Sequence, residues 1–211
     1  AARAQSVGPA VKVGKDKEGG RQMFDKNELR SMHKALFEAA IEKRRSELLA
    51  QAAGKEEEPE GTRAVVQVYL RKRPISEKEQ KVRGDYDAVT VIPGKPCSKE
   101  VVLHNCQFQA DLKTPFISHV RFGFDTVFPE DCSNDDVYAQ TAEPLVQIAL
   151  SGGMSTMFMF GQTGSGKTFT MTAIEEFAAR DLFAQERSED FISLQFFELR
   201  GNRCFDLLSQ A

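Results

Sequence analysis

Three features are scarce in this 211-residue sequence, and each scarcity excludes a class of protein. Cysteine occurs four times without a C-x-x-C pair, so the sequence predicts neither a zinc site nor a disulfide framework. The four are expected to be small, partly buried thiols in a reducing compartment: Cys97, Cys106, Cys132 and Cys204. No apolar run approaches the ~18–20 residues that span a bilayer, and residues 1–6 lack the charged-then-apolar order of a secretion signal. A cytoplasmic protein without a membrane span is therefore predicted.

Positive charge is not in excess either. Lysine and arginine together number 28, against 31 aspartates and glutamates, which gives a net charge of −3. A protein that binds nucleic acid through its overall charge would be basic. No nucleic acid is therefore expected as a partner.

Composition divides the chain into four stretches. Residues 1–26 are rich in Gly, Lys and Ala and are predicted to form a flexible tail. Residues 27–53 predict one neck-like helix with Asn27 as its N-cap. Its apolar face would carry Leu29, Met32, Leu36, Ala40 and Ile41. The opposite, charged face is interpreted as a solvated surface, and the pattern covers too few heptads to identify a coiled coil. Residues 54–62 read as a charged linker, and 63–211 as the compact domain.

Apolar segments of strand and helix length alternate within the compact domain. Strands are predicted at residues 64–70, 88–92, 100–103, 120–124, 156–160 and 191–199. Helices are predicted at residues 136–151 and 169–177. This alternation predicts an α/β fold of three layers, in which helices flank a central, mostly parallel sheet.

The most specific motif is the glycine-rich segment at residues 161–168. It reads Gly161-Gln162-Thr163-Gly164-Ser165-Gly166-Lys167-Thr168 and fits G-x-x-x-x-G-K-[ST] at every fixed position. Because glycines let successive N–H groups face phosphate oxygens, the motif indicates a nucleoside triphosphate site. The Lys167 ammonium would reach the β- and γ-phosphates, and the Thr168 hydroxyl would ligate Mg²⁺. A glycine-rich turn that arose by chance is the weaker alternative.

Several further motifs, in this order, resemble the first half of a kinesin motor domain. They are Arg71-x-Arg73-Pro74, Phe124-Asp125-x-Val127-Phe128, Val137-Tyr138, Thr141-Ala142-x-Pro144-Leu145-Val146, the glycine-rich segment with Phe169-Thr170-Met171, and Phe196-Phe197-Glu198 to Asp206-Leu207-Leu208. The resemblance runs from about Val65 to Leu208 and implies an incomplete P-loop NTPase fold of kinesin type. Details at residues 144–147 and 179–183 look most like the kinesin-13 subfamily, whose members depolymerise microtubule ends.

The resemblance implies roles for particular residues, with ATP and Mg²⁺ as cofactors. Arg71, Arg73 and Pro74 would flank the adenine. Taken alone, a basic strand end would instead be interpreted as a solvated surface. The segment from Gln162 to Thr168 would wrap the phosphates and the metal. Aromatic residues stand where many kinesins have Tyr and His, and packing under the loop is expected for both: Phe160 and Phe169.

The sequence departs from the kinesin pattern in three places. The Lys-Val-Asp tip of kinesin-13 proteins corresponds to residues 108–112, where only Asp111 matches, so a tubulin contact and an ordinary hairpin tip both stay open. A glycine-containing loop is expected after Met171, but Thr172 follows directly. On the carboxyl side of Thr168 the chain has neither a Ser-Ser-Arg nor an Asp-x-x-Gly switch segment, so it offers no catalytic residue.

Three hypotheses for function follow. The first is a microtubule-associated ATPase of the cytoskeleton, acting as a motor or an end depolymerase with tubulin as partner, provided that the switch segments lie in the rest of the protein. The second is a kinesin-like structural protein that binds microtubules with little or no ATP turnover. The third is an unrelated P-loop enzyme, such as a small-molecule kinase. The sequence does not indicate oligomeric state, direction of movement or cargo.

Overall fold

The computed structural model describes residues 26–53, 65–95, 97–184 and 192–209. Nearly all of the predicted tail and the whole predicted linker lie outside these ranges, so the domain boundaries stay predictions. Among the described residues, no helix combines the length and apolar character needed to cross a membrane.

The predicted single helix over residues 27–53 forms as two helices. Helix α1 covers Lys26–Met32 and helix α2 covers Lys34–Ala52. They are separated by His33, whose ring lies 5.4 Å from that of Phe108. Asn27 is therefore inside α1 and is not an N-cap. Because the helical path breaks after Met32, that side chain is exposed, and the buried face of α2 begins at Phe37.

Helix α2 packs on an antiparallel sheet of three strands. Strands β2 (Val89–Ile92), β3 (Glu100–Phe108) and β4 (Pro115–Gly123) lie in the order β2-β3-β4. Two apolar clusters join helix and sheet: Phe37 and Ile41 with Cys106, and Leu48 with Ile92 and Val102. Each such side chain contributes roughly 1.5–3 kcal/mol on burial. The helix that the sequence predicted as neck-like thus packs on this sheet as part of the same folded unit.

A parallel pair of short strands leads towards the glycine-rich segment. Strand β1 (Tyr69–Arg71) pairs with β5 (Thr126–Phe128). The predicted strand at 64–70 was therefore too long at its start, where Val65 and Val66 are exposed. Within this pair, Val127 and Phe128 of β5 are buried.

Three helices follow β5. Helix α3 (Asn134–Thr141) begins with a capping box in which Ser133 and Asp136 bond each other's backbone N–H. The predicted helix at 136–151 is divided, since a second helix, α4 (Glu143–Leu150), carries Pro144 in its first turn. A proline nitrogen cannot donate to the carbonyl one turn back, and the Gln140 carbonyl accepts instead from the Tyr69 hydroxyl at 3.2 Å. Helix α5 (Lys167–Phe183) runs without interruption past Met171.

The remaining strands form a hairpin. Strands β6 (Phe197–Arg200) and β7 (Arg203–Asp206) are antiparallel and turn at Gly201, whose φ is 63°. The predicted strand at 156–160 was wrong for the described structure, because it pairs with no other strand there. Mixed parallel and antiparallel sheets flanked by helices confirm the α/β class. Within the described ranges, the predicted mostly parallel sheet is represented only by β1 and β5.

A buried polar chain crosses the sheet beneath α2. His104 is 1% exposed. Its Nε2 lies 2.8 Å from Thr90 Oγ1, and its Nδ1 lies 2.7 Å from His119 Nδ1. Burial lowers the pKa of His104 to about 4, with further lowering by His119, Arg45 and Arg44 that Asp87 opposes. Burial and Arg44 also lower the pKa of His119. Both rings are therefore neutral in the folded protein at neutral pH.

From the buried polar chain of Thr90, His104 and His119 we predict a loss of stability in mild acid. Between its usual pKa of 6.5 and about 4, His104 binds a proton more readily in the unfolded chain, so stability falls as the pH falls. We expect the protein to be about 1–2 kcal/mol less stable at pH 5.0 than at pH 7.5 in urea unfolding. This interval lies above the usual pKa of carboxylates such as Glu79.

The matched comparison uses two histidine variants. His104→Gln keeps a hydrogen-bonding side chain without titration, and it should flatten the pH dependence. His33→Gln, which removes a histidine outside the polar chain, is the matched control for the substitution itself. Equal pH dependence in His104→Gln and the parent protein would contradict the assignment.

Candidate nucleotide-binding site

The glycine-rich segment forms a tight loop that leads into the first turn of α5. Gly161, Gly164 and Gly166 have φ values of 152°, 82° and 92°, in the region that favours glycine. A Cβ at Gly161 would lie 2.7 Å from Ser165 Oγ, a hydroxyl that can rotate away, so the backbone conformation is what requires glycine there. The Ser165 N–H donates to the Gln162 carbonyl at 3.1 Å and closes the turn. The loop has the shape that a phosphate cradle needs.

The two polar residues that end the motif lie in the first turn of α5. The Lys167 ammonium donates to the carbonyls of Gly161 at 2.7 Å and Gln162 at 2.9 Å, so its side chain folds back over the loop. Thr168 is exposed at the helix start. This first turn contains no acidic residue, so no local negative charge opposes the positive end of the helix dipole. The arrangement can accept an anion beside an exposed hydroxyl.

Arg71 connects the start of α5 to the start of α3. Its Nη1 donates to Asn134 Oδ1 at 2.5 Å and to Thr170 Oγ1 at 2.9 Å, and its Nη2 donates to the Cys132 carbonyl at 3.0 Å. Its guanidinium carbon also lies 5.5 Å from the centre of the Phe169 ring. These contacts give Arg71 a structural role at the site, and its place beside an adenine stays a prediction.

Arg73 lies directly against the loop. A Cβ built on Gly166 would meet Arg73 Cδ at 3.5 Å and Cγ at 3.7 Å. The guanidinium makes a bidentate ion pair with Glu79, at 2.8 and 2.9 Å, and also donates to the Pro74 carbonyl at 3.0 Å. The structure therefore places Arg73 beside Gly166, and the prediction that Arg73 and Pro74 flank an adenine stays a prediction.

Glu79 is a residue of this site that sequence reasoning missed. It begins a π-helical turn (Glu79–Arg83), and it accepts from the Ser76 N–H at 2.8 Å and the Ser76 hydroxyl at 2.9 Å. Hydrogen bonds from Arg73 and Ser76 lower the pKa of Glu79 to about 2. The Ser-x-x-Glu pattern of a capping box, just after Pro74, was the signal that could have revealed it.

The two aromatic residues of the motif do not pack as expected. Phe160 is 88% exposed and Phe169 is 66% exposed, so the prediction that both pack under the loop was wrong. Phe160 belongs to the segment that pairs with no described strand, and Phe169 lies on the outer side of α5, where it meets Arg71.

The loop between β3 and β4 is a self-contained turn. The Asp111 carboxylate accepts from the Lys113 N–H at 2.9 Å, from the Thr114 N–H at 3.0 Å and from the Thr114 hydroxyl at 2.7 Å. Leu112 adopts a φ of 52° to complete the turn. These bonds favour the ordinary hairpin tip over a projecting tubulin contact.

Known proteins match most of this chain. The family model described as the kinesin motor domain matches residues 71–211. Kinesin-like protein KIF24 of Mus musculus is 38% identical over 157 residues, 69% of this chain and 11% of that protein. Diatom spindle kinesin-1 of Cylindrotheca fusiformis is 38% identical over 151 residues, 70% of this chain and 23% of that protein. Kinesin-like protein KIN-13B of Arabidopsis thaliana is 35% identical over 171 residues, 79% of this chain and 24% of that protein.

These matches confirm the resemblance to kinesins, including those of the kinesin-13 type. The chain spans about a quarter or less of the length of these relatives. Among solved structures, the motor domain of the Kar3-like kinesin from Ashbya gossypii aligns with 54% of this chain and 37% of its own chain, at 24% identity and a TM-score of 0.37.

The contacts of Arg71 predict its effect on stability. Arg71→Met would leave the Asn134 amide oxygen and the Cys132 carbonyl without their charged donor. We expect a loss of about 2–4 kcal/mol of unfolding free energy, measured by urea denaturation. Arg200→Met is the matched control, because Arg200, like Arg71, contacts an aromatic ring, but it lies on an exposed strand where it pairs only with Glu198. A loss no larger than that of the control would refute the structural role.

Proposed function

The chain belongs to the kinesin motor-domain family, and on that premise we propose that the protein is a microtubule-associated ATPase. It binds Mg-ATP at residues 161–168 and couples hydrolysis to motor or end-depolymerising activity on microtubules. The observation that carries the proposal is the built phosphate loop, with three glycines in the left-handed region and the Lys167 ammonium folded over it. Family membership also removes the reason to consider an unrelated P-loop enzyme.

Binding of the phosphates follows from the chemistry of the loop. Lys167 now donates to two neutral carbonyls, and a phosphate oxygen is a stronger, charge-assisted acceptor for the same ammonium. The N–H groups of the first turn of α5 add unpaired donors, and the helix dipole favours an anion at this end. The Thr168 hydroxyl is exposed and would hold the metal. Bound Mg²⁺ would supply positive charge between the β- and γ-phosphates.

The adenine side of the site would be formed by Arg73 and Pro74. Arg73 lies against Gly166 with its guanidinium plane held by two bonds to Glu79. A planar group fixed in this way can face a flat base without losing much side-chain entropy on binding. Arg71 would act one step away, by holding α5 and Phe169 in place.

Hydrolysis needs more than this loop. Phosphoryl transfer is accelerated by positioning the attacking water and by stabilising charge on the γ-phosphate. The proposal therefore assigns nucleotide binding to this chain and makes none of its residues the catalytic base. A structural microtubule-binding protein with little ATP turnover is the second candidate, because the contacts of the loop account for holding phosphates and not for placing an attacking water.

The microtubule side of the proposal rests on the family. The relatives named as kinesin-13 proteins support an end-depolymerising activity, and the cytoskeleton is the corresponding location. The hairpin tip at Asp111 does not support it directly, because the carboxylate already accepts three bonds within its own turn. A depolymerising contact through this hairpin would have to use neighbouring side chains such as Lys113.

Removal of the loop lysine tests nucleotide binding. Lys167→Ala in the intact protein should remove detectable binding of a fluorescent ATP analogue with Mg²⁺, because the ammonium that pairs the phosphates is lost. Lys81→Met is the control, since Lys81 pairs with Glu77 on an exposed surface. Affinity that persists in Lys167→Ala would overturn the phosphate-loop assignment.

Steady-state turnover separates the two candidate functions. The intact protein should hydrolyse ATP faster when microtubules are added, and Thr168→Ala should lower this turnover and raise the Mg²⁺ concentration that it requires. ATP binding with no turnover under either condition favours the structural candidate. Turnover that microtubules do not change would count against both.

A further inference from the structure

A chain of ion pairs connects helix α2 to the end of β1. Arg45 of α2 bonds Asp87 Oδ2 at 2.9 Å, and the same oxygen accepts from Lys72 Nζ at 2.7 Å. Lys72 Nζ also bonds Glu130 Oε2 at 2.8 Å. We name these four residues the charge relay. Its centre is Lys72, whose side chain is only 13% exposed.

The charge relay is anchored at Arg45 and Asp87. Arg45 also donates to Thr90 Oγ1 at 3.2 Å and to the Asp87 carbonyl at 3.3 Å, and so holds α2 to β2. The second oxygen of Asp87 accepts from the Val89 N–H at 3.0 Å. The Arg45–Asp87–Lys72 part is therefore held more firmly than an exposed surface pair, while Glu130, with a side chain 47% exposed, is the solvent-facing end.

Lys72 stands between the two arginines of the nucleotide site. In an extended chain successive side chains point to opposite sides. Accordingly Arg71 contacts Thr170 of α5 and Arg73 contacts Gly166 of the phosphate loop, while Lys72 points the other way to Asp87 and Glu130. The Lys72 N–H also donates to the Phe128 carbonyl at 2.9 Å. This short backbone segment is thus held between the loop on one side and the charge relay on the other.

We propose that Lys72 and Asp87 are positioning residues, through which the docking of helix α2 sets the place of Arg71 and Arg73 and thereby the affinity of the loop for nucleotide. The inference rests on the proposed function, since it assumes that ATP binds at residues 161–168. A shift of α2 moves Arg45, and with it the carboxylate that holds Lys72. Because Lys72 lies between Arg71 and Arg73 in the chain, a displacement of Lys72 would displace both arginines.

The proposal predicts weaker nucleotide binding when the relay is cut. In the intact protein, Lys72→Met and Arg45→Met should each raise the Kd for a fluorescent ATP analogue with Mg²⁺ by roughly two- to thirtyfold. Since both variants cut one relay, the double variant should raise the Kd by less than the product of the two. Lys72→Arg can still reach both carboxylates and should restore the affinity, which a loss of packing alone would not explain.

Controls separate this proposal from the proposed function. Lys43→Met changes an exposed lysine on the same helix and should bind nucleotide like the parent protein. Lys167→Ala is measured beside it. Undiminished binding by Lys167→Ala overturns the proposed function itself. Loss of binding in Lys167→Ala, with Arg45→Met and Lys72→Met binding as tightly as Lys43→Met, overturns the charge relay alone.

Hydrogen exchange supplies a test on the parent protein, without any substitution. If α2 influences nucleotide affinity, then nucleotide must stabilise the docked α2 by the same factor. Saturating nucleotide should therefore slow amide exchange within Lys34–Ala52 of the parent protein. Unchanged exchange in this helix, at a concentration that slows exchange at residues 161–168, overturns the proposal.

Discussion

The site depends first on the hydrogen bonds that the Arg71 guanidinium donates. It ends β1 and bonds the starts of two helices, through Asn134 and Cys132 before α3 and Thr170 in α5. The segment before the phosphate loop is exposed at Phe160 but packs through Met157 and Met159 against the cluster of Tyr138, Ala142 and Ile174. Arg71 and Arg73 add contacts from the end of β1 to α5 and to Gly166.

Charge at the end of β1 is divided between two sides of the backbone. Arg71 and Arg73 serve the loop, while Lys72 joins the helix layer through Asp87. The sequence presents these residues as one basic run, and a basic run is usually a solvated surface. The strand alternation directs these side chains to two sides of the backbone, so helix α2 is joined through Asp87 to Lys72, the residue between Arg71 and Arg73.

Local patterns predicted much of this structure. The helix predicted at residues 169–177 lies within α5, and β2 was predicted within one residue. Two predictions failed because they depended on strand pairing or on a helix break. The strand at 156–160 has no partner among the described residues, and the helix predicted at 136–151 is divided between α3 and α4, where Pro144 stands in the first turn of α4. A strand forms only when another strand supplies hydrogen-bond partners, and a single segment does not reveal whether one does.

The sequence by itself predicted the ligand chemistry, because three glycines, Lys167 and Thr168 form the pattern of a phosphate site through local backbone conformation and adjacent side chains. It also determined the family, through motifs spread from Arg71 to Leu208. Only the tertiary structure decided that Arg71 binds Asn134 and that Asp87 joins Lys72 to Arg45. These partners lie on separate elements, and their meeting is set by how helices and strands pack, which no local pattern contains.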